Sequence, residues 1–361
     1  MAQRGSQGIS LLVVIVAGCA RLGYGAAGGD AALVDTRQDL SEDGLQDVVP
    51  RDGRPDVAHA DRNADAPKRD STWADGRPPD KPSPPDKLVL PLDGGAVPGT
   101  WLTIYKGTFT MGSPAAEPCR GSDEDLHAVT LTHNFEIQTT EVTQGQFQQV
   151  LGYNPATFKS CGASCPVETI TWNEAAAYGN ALSERQGLTP CYTCTGSGGN
   201  IICAEAATYS GAAIYVCPGY RLPTDAEWEY AYRAATTSAY YSGPASATGC
   251  TCTLDPSANP IAWYCGNAGN TTHAVAQKQA NAWGLYDMGG NVLELGNDLY
   301  VANLGTSPAT DPWGGSGGGN RVWRGGAWAF GAGFTRGAYR EKSPQGTRND
   351  QIGFRCVRTV P

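Results

Sequence analysis

The sequence predicts an α+β domain, rich in irregular loops and stabilised by disulfides, carried on an extended N-terminal stalk. Three observations predict it. Forty-seven glycines and 24 prolines among 361 residues make about a fifth of the chain turn-forming, with no collagen-like period. Helical signals are sparse and short. Twelve cysteines are too many for a reducing compartment and imply an oxidising one. A net charge of −9 disfavours a nucleic-acid partner, because phosphate neutralisation needs a basic surface. The only histidines are His59, His127, His133 and His273, too few for a poly-histidine metal centre.

The N-terminus reads as an export signal over residues 1–18. Arg4 supplies positive charge, and Ile9 to Ala17 is apolar but too short to span a bilayer. Val16-Ala17-Gly18-Cys19 has small residues before a cysteine, as in a bacterial lipobox, so Cys19 is the expected lipidation site and mature N-terminus. An ordinary signal peptide with a chance cysteine is the alternative. Ala20 follows where inner-membrane retention often places Asp, which points to the outer membrane. Residues 19–96 are expected to be a disordered acidic stalk. Between 30 and 93 there are 14 Asp and one Glu against nine Lys or Arg, and Trp73 is the only aromatic. Such a segment buries too little apolar area to offset its ordering entropy.

The folded domain is expected over residues 97–361. Eight of the nine tryptophans lie there. Thr143 to Gln146 forms a capping-box pattern ahead of Phe147, Val150 and Leu151. Asn173 to Gln186 carries Ala177, Tyr178 and Leu182 at helical spacing. Thr224 to Glu227 is a second capping box, preceded by Pro223. His127 and His133 flank the apolar run Ala128 to Leu131, which reads as a strand with partly exposed ends. No internal repeat is present.

An ordered set of motifs covers this domain: Gly107-Thr108-Phe109-Thr110-Met111-Gly112-Ser113, Glu141-Val142-Thr143-Gln144, Pro166-Val167-Glu168 and Thr171-Trp172. Then come Tyr220-Arg221-Leu222-Pro223-Thr224, Glu227-Trp228-Glu229-Tyr230, and Asn281 through Met288. The end has Arg324-Gly325-Gly326 and Gly353-Phe354-Arg355-Cys356. The set resembles the formylglycine-generating enzyme, or sulfatase-modifying factor, family. The resemblance implies a variant of the C-type-lectin-like fold. It also implies, for the oxidases, two C-terminal cysteines that bind Cu(I), a soft ion that prefers thiolates. Carried over by position, the Ser of that motif is Ala327 here, the first Cys is Phe330 and the second is Thr335. None can be a thiolate ligand, so copper oxidase chemistry is expected to be absent. The family's iron-dependent branch carries a His-x-x-x-His-x-Glu site, which this chain lacks; His127 and His133 are six apart.

The resemblance implies a Ca²⁺ loop at 287–294, with carboxylates from Asp287 and Glu294 and carbonyls from Gly290 and Val292. A tight loop whose carboxylates cap nearby backbone is the alternative. The family's second Ca²⁺ stretch is replaced by Gly266 to Thr272. Without Cys19, 11 cysteines remain. Cys161 and Cys165 can close a small loop; Cys191, Cys194, Cys203 and Cys217 bracket an insertion; Cys250, Cys252 and Cys265 cluster, with Cys119 a candidate fourth. These allow five bridges of unspecified connectivity. The family's partner for Cys356 is replaced by Gly179, so Cys356 is expected to be a buried free thiol. A zinc site at Cys191 and Cys194 is disfavoured in an exported protein.

Arg321 to Arg358 holds eight Lys or Arg against two acids. Internal pairing of Arg324, Arg336, Arg340 and Arg355 with acids such as Glu168 and Glu227 is one reading. A recognition surface built from Trp323, Trp328, Phe330, Arg336 and Arg340, for an extracellular or periplasmic peptide, glycan or sulfated ligand, is the other. The expected function is a surface-anchored binding or structural module, tethered to the membrane by its lipid. The alternative is a divergent family enzyme that modifies a secreted protein or small molecule.

Overall fold

The computed structural model describes residues 87–88, 97–247, 250–316 and 319–361. The export signal, Cys19 and nearly all of the expected stalk lie outside them. Within the span read as stalk, Lys87–Leu88 pairs antiparallel with Trp101–Leu102, so ordered backbone pairing begins before position 97. The apolar run Leu88-Val89-Leu90 is the sequence cue for it.

Three helices form, each opened by a reciprocal capping box that satisfies two otherwise orphaned N–H groups. They are α1 (Gln144–Leu151, Thr143 with Gln146), α2 (Trp172–Arg185, Thr171 with Glu174) and α3 (Asp225–Arg233, Thr224 with Glu227). The box at Thr171 was not anticipated. The central sheet has five antiparallel strands, in the order 87–88, 101–104, 134–138, 357–360, 220–221. The last strand of the chain therefore sits inside the sheet, between Asn134–Gln138 and Tyr220–Arg221. A second sheet pairs Leu293–Leu299 with Asn320–Arg324 and Ile352–Gly353, and Arg340–Pro344 forms its edge. His127–Leu131 is a strand, as expected, and pairs with Gly107–Met111. His127 is buried rather than partly exposed, because its Nδ1 is bound to Asp125 O at 2.8 Å.

The core sits between α2 and the central sheet. Phe147 stacks on Tyr178, with centroids 5.8 Å apart, and Phe354 meets Tyr178 edge-on at 5.2 Å. Trp101, Trp172 and Trp228 are fully buried. The bridges are Cys119–Cys250, Cys161–Cys165, Cys191–Cys217, Cys194–Cys203 and Cys252–Cys265. All ten cysteines expected to pair do so. Cys356 is a buried free thiol, and burial pushes its pKa up, so it stays a thiol. Gly179 packs against strand backbone. A Cβ there would lie 2.8 Å from Tyr220 O, so any side chain requires the strand to move.

Arginines tie the loops together. Arg324 donates through Nε to Asp225 Oδ1 at 2.5 Å and through Nη2 to Glu229 Oε2 at 2.8 Å. Its Nη1 donates to Gly337 O and Tyr339 O. Arg340 pairs with Asp225, Arg233 with Glu229, and Arg221 with Glu227. The internal pairing expected for Arg324, Arg336, Arg340 and Arg355 is present, but the partners differ. Glu168 instead accepts from Phe158 N and Thr169 Oγ1, and Glu227 belongs to Arg221. Removing one member of a buried pair strands its partner's charge. Arg324→Ala is therefore expected to destabilise the oxidised protein by about 3–5 kcal/mol, measured by denaturant unfolding without reductant.

Candidate functional site

The strand Asn320–Arg324 runs into Gly325 and Gly326, which both adopt left-handed backbone, at φ +89° and +69°. Close approach demands glycine here: a Cβ at Gly326 would lie 2.6 Å from Phe334 O. The chain then curls through Ala327, which is buried, and Phe330 N donates to Ala327 O. Gly331 and Gly333 lie under the Cys119–Cys250 bridge; a Cβ on Gly333 would be 2.5 Å from Cys119 Sγ.

At the two positions that resemble the copper ligands, the structure places other chemistry. Thr335 is fully buried, and its hydroxyl donates to Ala332 O at 2.9 Å. Phe330 is half-buried and packs on Phe334, centroids 5.6 Å apart; Phe334 in turn meets Tyr339 edge-on at 5.0 Å. Phe334 is exposed.

The recognition surface expected from five residues is corrected by burial. Arg336 is fully buried, donating to Glu117 and Glu124 and to Cys119 O. Arg340 is spent on Asp225, Asp123 O and Val301 O. Both guanidiniums are buried and satisfy internal acceptors. Trp323 is buried in its sheet. Trp328 and Phe330 stay half-buried at the surface; Trp328 donates to Asp350 O and sits edge-on to Phe158 at 5.3 Å.

The loop 287–294 is next to this segment: Trp328 N donates to Asn291 O, and Gly290 N to Gly325 O. Asp287 and Asn291 have left-handed backbone, at φ +53° and +58°, which curls the loop. A Cβ on Gly290 would collide with the Trp263 carbonyl. Asp287 Oδ2 accepts from Ala276 N at 2.6 Å, whereas its Oδ1 is buried without a partner. Glu294 accepts from both Arg355 Nε and Nη2, at 2.7 and 2.6 Å, and from Trp228 Nε1 at 2.7 Å. Glu141, not singled out as a site residue from the sequence, reaches in and accepts from Asn291 Nδ2 and Val292 N. Its place in a Glu-Val-Thr-Gln motif was the available signal.

Three buried carboxylates thus face one guanidinium. Burial, reinforced by the charges of Asp287 and Glu294, holds Glu141 well above the carboxylate range. Burial pushes Asp287 up to about 6. The buried orphan oxygen of Asp287 and the uncompensated charge fit a hard dication. The fit depends on backbone carbonyls, because among the described residues no three His, Cys, Asp or Glu side chains converge as a metal cluster.

The raised pKa values set a sign for stability. A carboxylate with a higher pKa folded than unfolded stabilises the fold below its unfolded pKa, and that stability is lost as pH rises through the folded pKa. Asp225 and Glu124, lowered by their arginine partners against the opposing effect of burial, act oppositely, and only as pH falls below the ordinary range. Metal-free protein is therefore expected to lose stability as pH rises from the ordinary Asp value of 3.8 to about 6, the value for Asp287. Asp287→Asn is expected to flatten that slope in denaturant titrations across the window.

Comparison with known proteins agrees with the motifs. The sulfatase-modifying factor enzyme 1-like domain matches residues 96–360. The chain is 32% identical over 255 residues to the chaperone protein LppX of Paenibacillus barcinonensis, covering 64% of this chain and 82% of that protein. It is 31% identical over 146 residues to the formylglycine-generating enzyme of Streptomyces coelicolor, covering 38% of this chain and 46% of the enzyme. Among solved structures, variable protein 1 of Treponema denticola superposes with a TM-score of 0.61 at 29% identity, covering 75% of this chain and all of that one. The five bridges mark a protein that folds outside the reducing cytoplasm. With the motif order, the fold and the extent of these matches in agreement, the chain belongs to the sulfatase-modifying factor enzyme 1-like domain family.

Proposed function

We propose that the chain is an exported, lipid-anchored protein whose C-terminal domain acts as a binding or structural module without copper oxidase chemistry. One observation carries the reading: a half-buried phenyl ring and a buried, satisfied hydroxyl stand where two thiolates would have to be. A cuprous ion prefers soft sulfur ligands, and neither Phe330 nor Thr335 offers one. The nearest substitute by motif, Cys356, is buried and is the only free thiol among the described residues. A relative named as a chaperone supports a role in holding a partner rather than transforming it.

In this reading Asp287, Gly290, Val292 and Glu294 hold Ca²⁺, which would neutralise the excess charge shared with Glu141 and fix the loop beside residues 325–336. Glu294 would share its carboxylate between the ion and Arg355. Cys19 carries the lipid that anchors the chain to a bacterial outer membrane.

Three experiments test this. Purified protein is expected to contain calcium but no stoichiometric copper or iron by elemental analysis. Given Cu(I), O₂ and a sulfatase-derived cysteine peptide, it is expected to yield no formylglycine by mass spectrometry; product formation would sink the proposal. In cells fed labelled palmitate, the wild type is expected to take up label, and Cys19→Ser to lose it and leave the membrane fraction. Label retained by the variant, or absent from the wild type, removes the anchor.

A further inference from the structure

A cleft of about 430 Å³ opens where the ends of strands 101–104 and 134–138 meet the start of α1 and the loops 275–276 and 284–286. No charged side chain lines it. Its polar side chains are neutral, and two of them are already committed: Thr140 Oγ1 donates to Glu141 O at 3.0 Å, and Thr143 Oγ1 accepts from Gln146 N at 3.2 Å. The hydroxyls of Thr100, Thr139 and Tyr286 line it and have no hydrogen bond within the described residues. Gln146 commits its Oε1 to Thr143 N at 2.9 Å, which leaves the amide nitrogen as the free end.

These groups stand on fixed backbone. Thr139 N donates to Thr100 O at 2.9 Å, and Tyr286 N donates to Thr139 O at 2.8 Å. Binding to such a platform costs little ordering entropy. At the rim, Gly99 and Gly284 adopt left-handed backbone, at φ +100° and +88°, and present no side chain. Val275 adds an apolar wall.

We propose that this cleft binds a neutral saccharide. Hydroxyls both donate and accept, so they match a ring bearing alternating hydroxyls. An ionic ligand would find no counter-charge, and a purely apolar one would leave the hydroxyls desolvated without partners. The volume lies within the range of roughly 300–1,000 Å³ usual for small-ligand sites. The proposal rests on the reading of the domain as a binding module, but it places the ligand away from positions 330 and 335.

The test uses the full mature chain and three probes: N,N′-diacetylchitobiose, cellobiose and maltose. Saturation-transfer NMR detects contact, and calorimetry gives affinity. At least one probe is expected to bind at millimolar concentration. Thr139→Val and Tyr286→Phe are each expected to weaken it about three- to tenfold with unchanged near-ultraviolet dichroism. Thr139→Ser, which keeps the hydroxyl, is expected to bind as the wild type does. Binding of none of the probes, or binding insensitive to both hydroxyl deletions, would each overturn the proposal. These readings involve no copper. A cleft that fails while the formylglycine assay stays negative removes only the saccharide, whereas formylglycine production removes the module reading itself.

Discussion

Arginine satisfying loop carbonyls while neutralising a buried acid is the interaction on which this fold depends. Much of the domain is irregular backbone, and irregular backbone leaves carbonyls unpaired. A guanidinium has five donors in a rigid fork, enough to grip a carboxylate and still reach main-chain oxygens. Arg324 does both, bridging α3 to the loop at Gly337 and Tyr339. Arg355 joins Glu294 to Gln138 O and Tyr286 O, and Arg233 joins Glu229 to Gly112 O. The helix α3 is the hub because its exposed-looking acids, Asp225, Glu227 and Glu229, each receive an arginine from elsewhere. These pairs do not raise stability cheaply, since desolvation offsets much of the attraction. What they do is fix relative positions that no ladder of strands could fix.

That division explains what could be read from the sequence. Local chemistry was legible: the capping boxes at Thr143 and Thr224 need only four residues each, and Cys161–Cys165 is a neighbouring pair. The grouping of the other cysteines followed from clustering along the chain, whereas Cys119–Cys250 spans 131 positions, and the sequence offered Cys119 only as a candidate fourth member of its group, with the connectivity open. Arginine partners were not legible, because Arg336 meets Glu117 and Glu124 more than 200 residues away. A basic, aromatic segment looks the same in sequence whether its charges face water or close a core. That is why Arg336 and Arg340 read as a ligand surface. Glu141 escaped for the same reason: its carboxylate matters through a contact 150 residues distant. Neutral clefts escape composition altogether, since threonines at 100 and 139 carry no signal until strands bring them together.

The segment 325–336 and the neighbouring loop form one physical unit. Gly290 N bonds Gly325 O, and Trp328 N bonds Asn291 O, so the segment 325–336 leans directly on 287–294. An ion that ordered the acidic loop would order the aromatic surface of Phe330, Phe334 and Trp328 as well. The scaffold holds its shape with Phe330 and Thr335 at these positions, because arginines and bridges hold it.

Gly333 lies so close to Cys119 Sγ that no β-carbon fits between them. The staple and the bare backbone beneath it are therefore mutually locked. A lineage carrying both cannot decorate this stretch one mutation at a time without first surrendering its crosslink. The flanking ring of Phe334 is exposed, so a change in its shape would leave the staple untouched.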